Sequence, residues 1–377
     1  MSRLEKFLGL YSSESTKRSY RNSLRKFFDS VYPGDEVPLA DKVERYFEEE
    51  REITSDIQKF NASIADVPPK TSHLYISAVK NFFIESGVEF ETRFWRRIRD
   101  RRKGTSTRAR TIDDVPSNKQ LKRIVTHMPV DGKALYLLLA SSGMRIGEAM
   151  RLKLDDVDLE NNKATVRAEY TKTGNPRIAF FSDECREYLK EWLSQREHYL
   201  ETKNGRTPEE YETDMDDGRL FPFTLHNAYA VWRIALKKTD NDKRDKSTGR
   251  YTIHPHVLRK FFRTRMATLI PVDVVEALMG HEGYLTEVYR RYTQEDLKEF
   301  YKQGEQSVTV VGSADIMEMK EKFEAQRQEF NEQQKIINHL NLENISLKEH
   351  LEHHSERIEK LENIADFLMK TMKEREG

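Results

Sequence analysis

The sequence has little cysteine and no long apolar run. It contains 377 residues and one cysteine, Cys185, so no disulfide bond can form within the chain. No stretch approaches the roughly eighteen consecutive apolar residues that a membrane-spanning helix needs, and the first residues lack the pattern of a secretory signal. We therefore expect a soluble, cytoplasmic protein without a membrane partner.

Two common sources of catalytic chemistry are also missing. Cysteine and histidine do not occur at the spacing of zinc-binding clusters, and there is no glycine-rich loop of the kind that cradles nucleotide phosphates. The sequence therefore predicts no metal site and no cofactor. Any phosphate chemistry would have to rely on side chains alone.

The chain has no excess of charge of either sign, but its charges are unevenly placed. Lys and Arg number 64, as do Asp and Glu, and the mean hydropathy is −0.80. Residues 93–110, "RFWRRIRDRRKGTSTRAR", hold a single acid among many arginines, and polar residues follow up to Pro116. Such a segment can neutralise phosphates and contribute to sequence-independent DNA affinity. We interpret it as a basic linker between two domains.

The first hundred residues repeat one helical pattern. A tyrosine, an aliphatic residue and two phenylalanines recur at i, i+4, i+7 and i+8, which places them on one face of a helix. The two sets are Tyr20, Leu24, Phe27, Phe28 and Tyr75, Val79, Phe82, Phe83. Basic residues fill the other faces of the first helix, as either a solvated surface or a DNA-binding one. The candidate DNA-binding residues here and in the basic segment are Lys17, Arg18, Arg21, Arg25, Arg96, Arg97, Arg101 and Arg102.

A second, mostly helical domain begins near residue 117 and contains a short hairpin. Ala164, Val166 and Ala168 alternate with polar residues, as in a half-buried strand. A turn at residues 174–176 precedes a second strand at residues 177–181. The expected fold class is therefore mainly α, with a small antiparallel β-sheet in this domain.

The last sixty residues have a heptad pattern. Apolar residues alternate by three and four positions from Ile316 to Met372, with charges between them and Asn344 at an a position. A sustained period of 3.5 predicts a parallel coiled coil, most simply a dimer. The alternative is a long helix that folds back on the body, since several d positions in the middle are polar.

Four separated stretches carry the residues of a candidate active site. "SSGMRIGEAMRLKLDDVD" contains Arg145 and Glu148, three residues apart, and "YTKTGNPR" places Lys172 at the tip of the hairpin. "HPHVLRKFF" contains His256 and Arg259, again three residues apart and so on one helix face. "GHEGYLTEVYRRYT" contains a histidine and two tyrosines among arginines. Each of these residue pairs alone is common on ordinary protein surfaces, but the ordered set of four stretches is specific.

Together these residue types suit an anionic phosphodiester. Arginine binds two phosphate oxygens with its planar fork and stabilises the charge that develops in a transition state. A tyrosine can attack phosphorus and conserve the bond energy in a covalent intermediate.

In their order, the four stretches resemble the conserved boxes of the tyrosine recombinase (phage integrase) family. The resemblance covers roughly residues 117–300, and residues 10–105 are similar to the helical core-binding domain of that family. The closing run "EDLKEFYKQGEQSVTV" is further similar to archaeal integrases of viruses or plasmids. The resemblance implies two domains that close as a clamp on double-stranded DNA, and four protomers in a synapse.

The resemblance also implies a role for each matching residue. Arg145 and Arg259 match the arginines that hold the scissile phosphate, and Glu148 matches the acid that supports the first box. Lys172 matches the hairpin lysine that protonates the leaving 5′ oxygen. His256 matches a histidine that accepts a proton or binds the phosphate. The implied product is a 3′-phosphotyrosyl link, formed without metal or ATP.

The nucleophile is one of two tyrosines. His281 matches the histidine that precedes it, usually by about nine residues; Tyr289 is eight residues after His281 and Tyr292 eleven. We favour Tyr289, with Tyr292 as the alternative.

The predicted function is site-specific DNA recombination or integration by a mobile genetic element. The alternatives are a DNA-binding regulator that has lost catalysis and a type IB-like topoisomerase without synapsis. The predicted domains are 1–105 (helical, SAM-like, core-binding), 106–116 (linker), 117–312 (catalytic) and 313–377 (coiled coil).

Overall fold

A computed structural model describes residues 2–100, 112–171, 174–204, 218–246, 248–280 and 292–312, with scattered positions between 321 and 358. Contacts divide the chain into two compact units. The first comprises Met1–Val115 with Leu236–Val257, and the second comprises Pro116–Ala235 with Leu258–Gly377. Most of the predicted linker lies outside the described residues. No helix in the described ranges is both long enough and apolar enough to cross a membrane.

The described part of the first unit is helical up to residue 100. Its helices are α1 (Arg3–Gly9), α2 (Glu14–Val31), α3 (Leu39–Glu48), α4 (Ile53–Ser63), α5 (Pro69–Glu85) and α6 (Thr92–Asp100). Helices α2 and α5 pack against each other. Their two phenylalanine pairs are fully buried, and the rings of Phe27 and Phe83 meet edge to face with centroids 5.5 Å apart. The predicted apolar faces are therefore confirmed, and aromatic burial dominates this core.

The second unit combines helices with one small sheet. Its helices are α7 (Asn118–Thr126), α8 (Val130–Ser142), α9 (Ile146–Ala149), α10 (Asp183–Asn204), α11 (Leu225–Lys238), α12 (Val257–Met266), α13 (Val272–Met279) and α14 (Gln294–Val308). The end of α11, from Leu236, and the first residue of α12 belong to the first unit. Three antiparallel strands, β1 (Val157–Asp158), β2 (Lys163–Val166) and β3 (Arg177–Phe180), lie in the order β1-β2-β3. The predicted fold class, mainly α with a small antiparallel sheet, is confirmed.

The hairpin differs from its prediction at one end. Ala164 pairs with Ala179 and Val166 with Arg177, as expected for antiparallel strands. Ala168, expected in the strand, instead begins a 3-10 turn, Ala168–Tyr170. The alternation of small apolar residues continues past the last pairing partner, so it overestimates the strand by two positions.

Helix α8 is the central helix of the second unit. Nearly every residue from Ala134 to Ser142 is buried, and α10 and α14 pack against it. The Tyr301 hydroxyl on α14 donates a 2.9 Å hydrogen bond to the carbonyl of Ser141. A helix that is apolar on all sides is expected where neighbours surround it.

The chain after α14 is held against α10 by a buried carboxylate. Glu184 is 2% exposed and accepts hydrogen bonds from the backbone N–H groups of Val310 (2.7 Å) and Val311 (2.5 Å). These bonds satisfy backbone donors that would otherwise be buried without partners.

Beyond Gly312, the described positions between 321 and 358 are helical and exposed. They include five apolar residues of the predicted seam, which are 47–68% exposed: Ile337, Leu340, Leu347, Leu351 and Ile358. The coiled coil itself stays a prediction.

Candidate active site

The first box of the site is built around the end of α8. Gly143 ends this helix with a left-handed backbone (φ 65°), and Arg145 then caps the short helix α9. Glu148 accepts hydrogen bonds from the backbone N–H of Arg145 (3.0 Å) and from its guanidinium (2.7 Å). Arg145 is thus the N-cap residue of α9 and Glu148 the third residue of that helix. The spacing had suggested two positions on one helix face.

Arg259 on α12 is buried and anchored by two helix ends. Its guanidinium donates to the carbonyls of Gly143, at the end of α8, and Met279, the last residue of α13 (2.7 Å). The C-terminal end of a helix carries partial negative charge. Two such ends therefore offset part of the cost of burying this cation. Among the described residues they use two of its five N–H donors.

The turn at Gly143 admits no side chain. A Cβ atom there would lie 2.5 Å from Cδ1 of Phe262, which is fully buried on α12. Glycine is therefore required both for the positive φ and for the close approach of α12 that brings Arg259 to the turn.

The structure adds Arg177 on β3, which the sequence did not single out. Its guanidinium donates to the second oxygen of Glu148 at 2.5 Å, and its side chain is 10% exposed. A Cβ atom on Gly280 would lie 2.6 Å from Cδ of Arg177, so the arginine stem packs directly against that glycine. The only sequence signal was a basic residue at the start of a strand, which is too common to be informative.

Positive charge exceeds negative charge at this site. Burial acts to raise the pKa of Glu148, but the hydrogen bond and charge of Arg177, followed by the contacts with Arg145, bring it below its usual value. Burial, with repulsion from Arg145 and Arg177, lowers the pKa of Arg259 to about 10. Three guanidinium groups thus face Glu148, and Arg259 has a smaller attraction to Glu276. The remaining positive charge favours binding of a further anion.

Asp156 holds two residues that precede Lys172 in the sequence, Arg167 and Tyr170. This carboxylate is 4% exposed and accepts from the backbone N–H of Lys153 (2.8 Å), from Arg167 Nε (2.6 Å) and from the hydroxyl of Tyr170 (3.1 Å). Lys172 itself lies outside the described residues. The sequence "KLDDVD" gave no signal that one of its acids is buried.

His256 is exposed and lies immediately before α12, which begins at Val257. The expected common helix face with Arg259 is therefore wrong, because the helix starts one residue too late to include the histidine. His256 stacks in parallel on His254, with ring centroids 6.3 Å apart. His254 Nε2 lies 3.1 Å from Oδ1 of Asp113. Sequence reasoning missed His254, although it stands two residues from His256.

Of the two candidate nucleophiles, the structure describes Tyr292; His281 and Tyr289 lie outside the described residues. The Tyr292 hydroxyl donates to Oδ2 of Asp273 at 3.1 Å, and its ring meets Phe300 edge to face at 5.8 Å. Asp273 is the second residue of α13, whereas Arg259 binds the carbonyl of the last residue, Met279. At 1.5 Å per residue, these two ends are roughly 9 Å apart.

The candidate DNA-binding residues are mostly exposed where they are described. Arg18, Arg21, Arg96 and Arg97 are exposed, as is Arg25. Lys17 is partly covered and pairs with Glu14 at 2.7 Å. Arg101 and Arg102 lie outside the described residues. No cluster of three His, Cys, Asp or Glu side chains that could hold a metal occurs in the described ranges.

The fold and site together define a class of protein. The solved structure of a lambda integrase (75–356) dimer bound to a COC′ core site aligns with a TM-score of 0.51 at 14% identity, covering 78% of this chain and all of that one. A lambda integrase tetramer bound to a Holliday junction aligns with the same TM-score. The fold is therefore that of the integrases.

Residues 116–299 match the phage integrase family. Tyrosine recombinase XerA of Pyrococcus horikoshii is 26% identical over 306 residues, which cover 80% of this chain and 91% of that protein. XerA of Pyrococcus furiosus is 26% identical over 295 residues, or 76% of this chain and 87% of that protein. The chain belongs to the phage integrase family of tyrosine recombinases, and it is an enzyme of the tyrosine-type site-specific DNA recombinase class.

We expect Gly143→Ala to destabilise the second unit by about 3 kcal/mol, from left-handed strain and from overpacking against Phe262. The measurement is thermal unfolding by circular dichroism. Gly218→Ala is the matched control, because Gly218 also has a positive φ (70°) but has no atom within 4 Å of a Cβ. Equal losses in the two variants would show that contact with Phe262 contributes nothing.

We expect Asp156→Ala to cost about 2 kcal/mol of stability, because it leaves a backbone N–H and two side-chain donors without their acceptor. Asp155→Ala is the control, since Asp155 is the exposed neighbour. Urea unfolding followed by intrinsic fluorescence measures both variants. If the two midpoints coincide, the buried hydrogen bonds of Asp156 do not stabilise the hairpin.

Proposed function

We propose that the chain cleaves and rejoins DNA at specific sites through a 3′-phosphotyrosyl intermediate. The observation that carries this proposal is the buried Arg259, held by two helix-end carbonyls beside Arg145, at a site with more positive than negative charge. A phosphodiester in the DNA backbone is an anion that would complete this site. Because the proposed substrate is DNA, we propose that the enzyme acts inside the cell.

In the proposed cleavage step, Arg145 and Arg259 bind the non-bridging oxygens of the scissile phosphate. The tyrosine phenol attacks phosphorus, so a bond forms between its oxygen and phosphorus while the bond to the 5′ oxygen breaks. His256 accepts the phenolic proton, and Lys172 donates a proton to the leaving 5′ oxygen. Stabilisation of the extra negative charge on phosphorus by the two guanidinium groups supplies the main rate enhancement.

In the proposed joining step, the 5′ hydroxyl of a partner strand attacks the phosphotyrosine. Its proton returns through Lys172, and the phenolate regains a proton from His256. The phosphodiester count is unchanged, so no energy source and no metal is required. His281 acts as a further hydrogen-bond donor to the phosphate.

Tyr289 is our candidate for the nucleophile. Tyr292 supports this choice indirectly, because its hydroxyl is engaged by Asp273 at the far end of α13 from the carbonyl that Arg259 binds. Moving Tyr292 onto the phosphate would require breaking this bond and its contact with Phe300. Tyr292 then has a packing role.

The proposed assembly pairs protomers through residues 313–377 and brings four protomers together on two DNA sites. In the predicted register, Asn344 would face its counterpart, and Glu343 at g would face Lys348 at e of the second chain. Arg357 and Glu362 would form a second attractive g–e pair. The exposed seam of Leu340 and Leu347 in the single chain is what such a partner would cover.

The chemistry is tested by trapping the covalent adduct on a nicked suicide substrate made from the DNA ends of the element that encodes the protein. We expect wild type and Tyr292→Phe to form the adduct, and Tyr289→Phe to form none, because only Tyr289 supplies the phosphate-bound oxygen. The adduct is measured as a slow-migrating band on a denaturing gel.

If Tyr292→Phe alone abolished the adduct, Tyr292 would be the nucleophile. If wild type formed no adduct, the protein would be a DNA-binding regulator of the same fold. Relaxation of plasmids that lack the site, without joining of two sites, would instead indicate a topoisomerase.

The assembly is tested in the full chain with Leu340→Ser and Leu347→Ser combined, at two d positions of the seam. We expect the dimer to dissociate by light scattering, since each substitution removes a buried leucine from the interface. The matched control combines Leu342→Ser and Ile345→Ser, which lie at f and b in the same register. Adduct formation on the nicked substrate should persist in both variants. A wild-type monomer, or dissociation by the f and b changes instead, would contradict the predicted register.

A further inference from the structure

Arg177 occupies an unusual position for a strand residue. It is the first residue of β3, its side chain is almost fully buried, and its charge is directed at Glu148 rather than at solvent. Its stem packs against Gly280, the residue that ends α13 with a left-handed backbone (φ 67°). One arginine therefore contacts both the carboxylate behind Arg145 and the point where the chain leaves α13.

Arg177 is the group that most lowers the pKa of Glu148 against the effect of burial. The carboxylate is 2% exposed, and burial without a partner would favour its neutral form. The charged groups that face it are Arg145 at the start of α9, Arg177 on β3 and Arg259 on α12. Arg145 is itself partly exposed and Arg259 is directed at two carbonyls, so Arg177 is its most buried direct partner.

The geometry divides the two oxygens of Glu148 between the two arginines. Oε1 accepts from the Arg145 guanidinium, while Oε2 accepts from Arg177 and from the Arg145 backbone N–H. With Arg177 on Oε2, the carboxylate plane is fixed and Oε1 is held toward Arg145. A carboxylate free to rotate would not hold Arg145 in one place.

Arginine is suited to this position for a second reason. Its Nε is buried and has no hydrogen-bond partner among the described residues, and it lies beside Gly280. The side chain therefore keeps one donor beside Gly280, at the end of α13. A lysine could supply charge to Glu148 but no donor at this point of its stem.

We propose that Arg177 is a positioning residue for the reaction: it fixes Glu148, and through Glu148 it holds Arg145 where the scissile phosphate binds. Arg177 does not itself contact the phosphate. This inference rests on the proposed cleavage chemistry, and it adds a fourth charged residue to the arginines and the acid of the site.

The test compares Arg177→Met and Arg177→Lys with wild type in single-turnover adduct formation on the nicked substrate. We expect Arg177→Met to cleave roughly 10²-fold more slowly, the size of effect that small displacements of a binding group produce. Arg177→Lys should recover part of the rate. DNA affinity, measured by titration without cleavage, should change little in either variant.

The pH dependence separates this role from simple loss of structure. Removing Arg177 takes away the largest influence that lowers the pKa of Glu148 and leaves the hydrogen bonds of Arg145 to oppose burial. The pKa of Glu148 therefore rises, and its neutral form gains population as pH falls. Across about pH 5.5 to 8.5, we expect the defect of Arg177→Met to be largest at low pH and to shrink as pH rises through the raised pKa. A change in folding alone would slow cleavage by the same factor across this range.

A double-mutant cycle with Glu148→Gln completes the test. If Arg177 acts through Glu148, Arg177→Met should add little to the defect of Glu148→Gln. Arg186→Met is the control for loss of an arginine, since Arg186 pairs with Asp183 and Glu187 at the start of α10. It should cleave at the wild-type rate.

Additive defects, or a pH-independent loss in Arg177→Met, would overturn the proposal, as would a wild-type rate in that variant. Equal unfolding midpoints of Arg177→Lys and wild type keep the comparison free of unfolded protein. Failure of wild type to form any adduct would instead contradict the proposed function, so the two failures are distinguishable.

Discussion

The second unit depends on one buried carboxylate, Glu148, among three guanidinium groups. A buried carboxylate without partners would be neutral, and buried arginines without partners would repel one another. Placed together, each lowers the cost of burying the others, but the charges do not balance. The excess is positive, and it sits where the ends of α8 and α13 converge. The site is therefore stable enough to fold without a ligand while still favouring an anion.

The C-terminal ends of two helices, rather than a second carboxylate, accept the hydrogen bonds of Arg259. Arg259 is held by the carbonyls of Gly143 and Met279, which carry partial rather than full negative charge. A full carboxylate at this position would neutralise the guanidinium and compete with a phosphate. The two carbonyls fix the orientation of the Arg259 guanidinium without neutralising its charge. The glycine at position 143 makes this possible, because only a residue without a side chain lets α12 approach the turn so closely.

The sequence carried enough to predict the fold class and to name Arg145, Glu148 and Arg259 as site candidates, but it did not indicate which residues support them. Arg145, Glu148 and Arg259 were recognisable because short fixed spacings repeat in a known order. Arg177 and Asp156 were not, because burial of a charged residue depends on which elements pack over it, and no local pattern reveals that. The sequence named His256 as a candidate but did not predict that it lies just before α12, because the first residue of a helix cannot be fixed from propensity. The prediction that the strand extends to Ala168 was wrong, because the alternation of small apolar residues continues beyond the last paired residue.

The contacts of Asp156 and the contacts of Glu148 support different residues of the proposed site. Asp156 binds Arg167 and Tyr170, just before the segment of Lys172, whereas Glu148 binds Arg145 and Arg177. The strands join the two networks, because Arg167 follows β2 directly and Arg177 begins β3, the strand that pairs with it. A shift in β3 would therefore move Arg177 and, through Glu148, Arg145, which is proposed to bind the phosphate. In the proposed reaction, the three-stranded sheet would therefore couple protonation of the leaving group to binding of the phosphate.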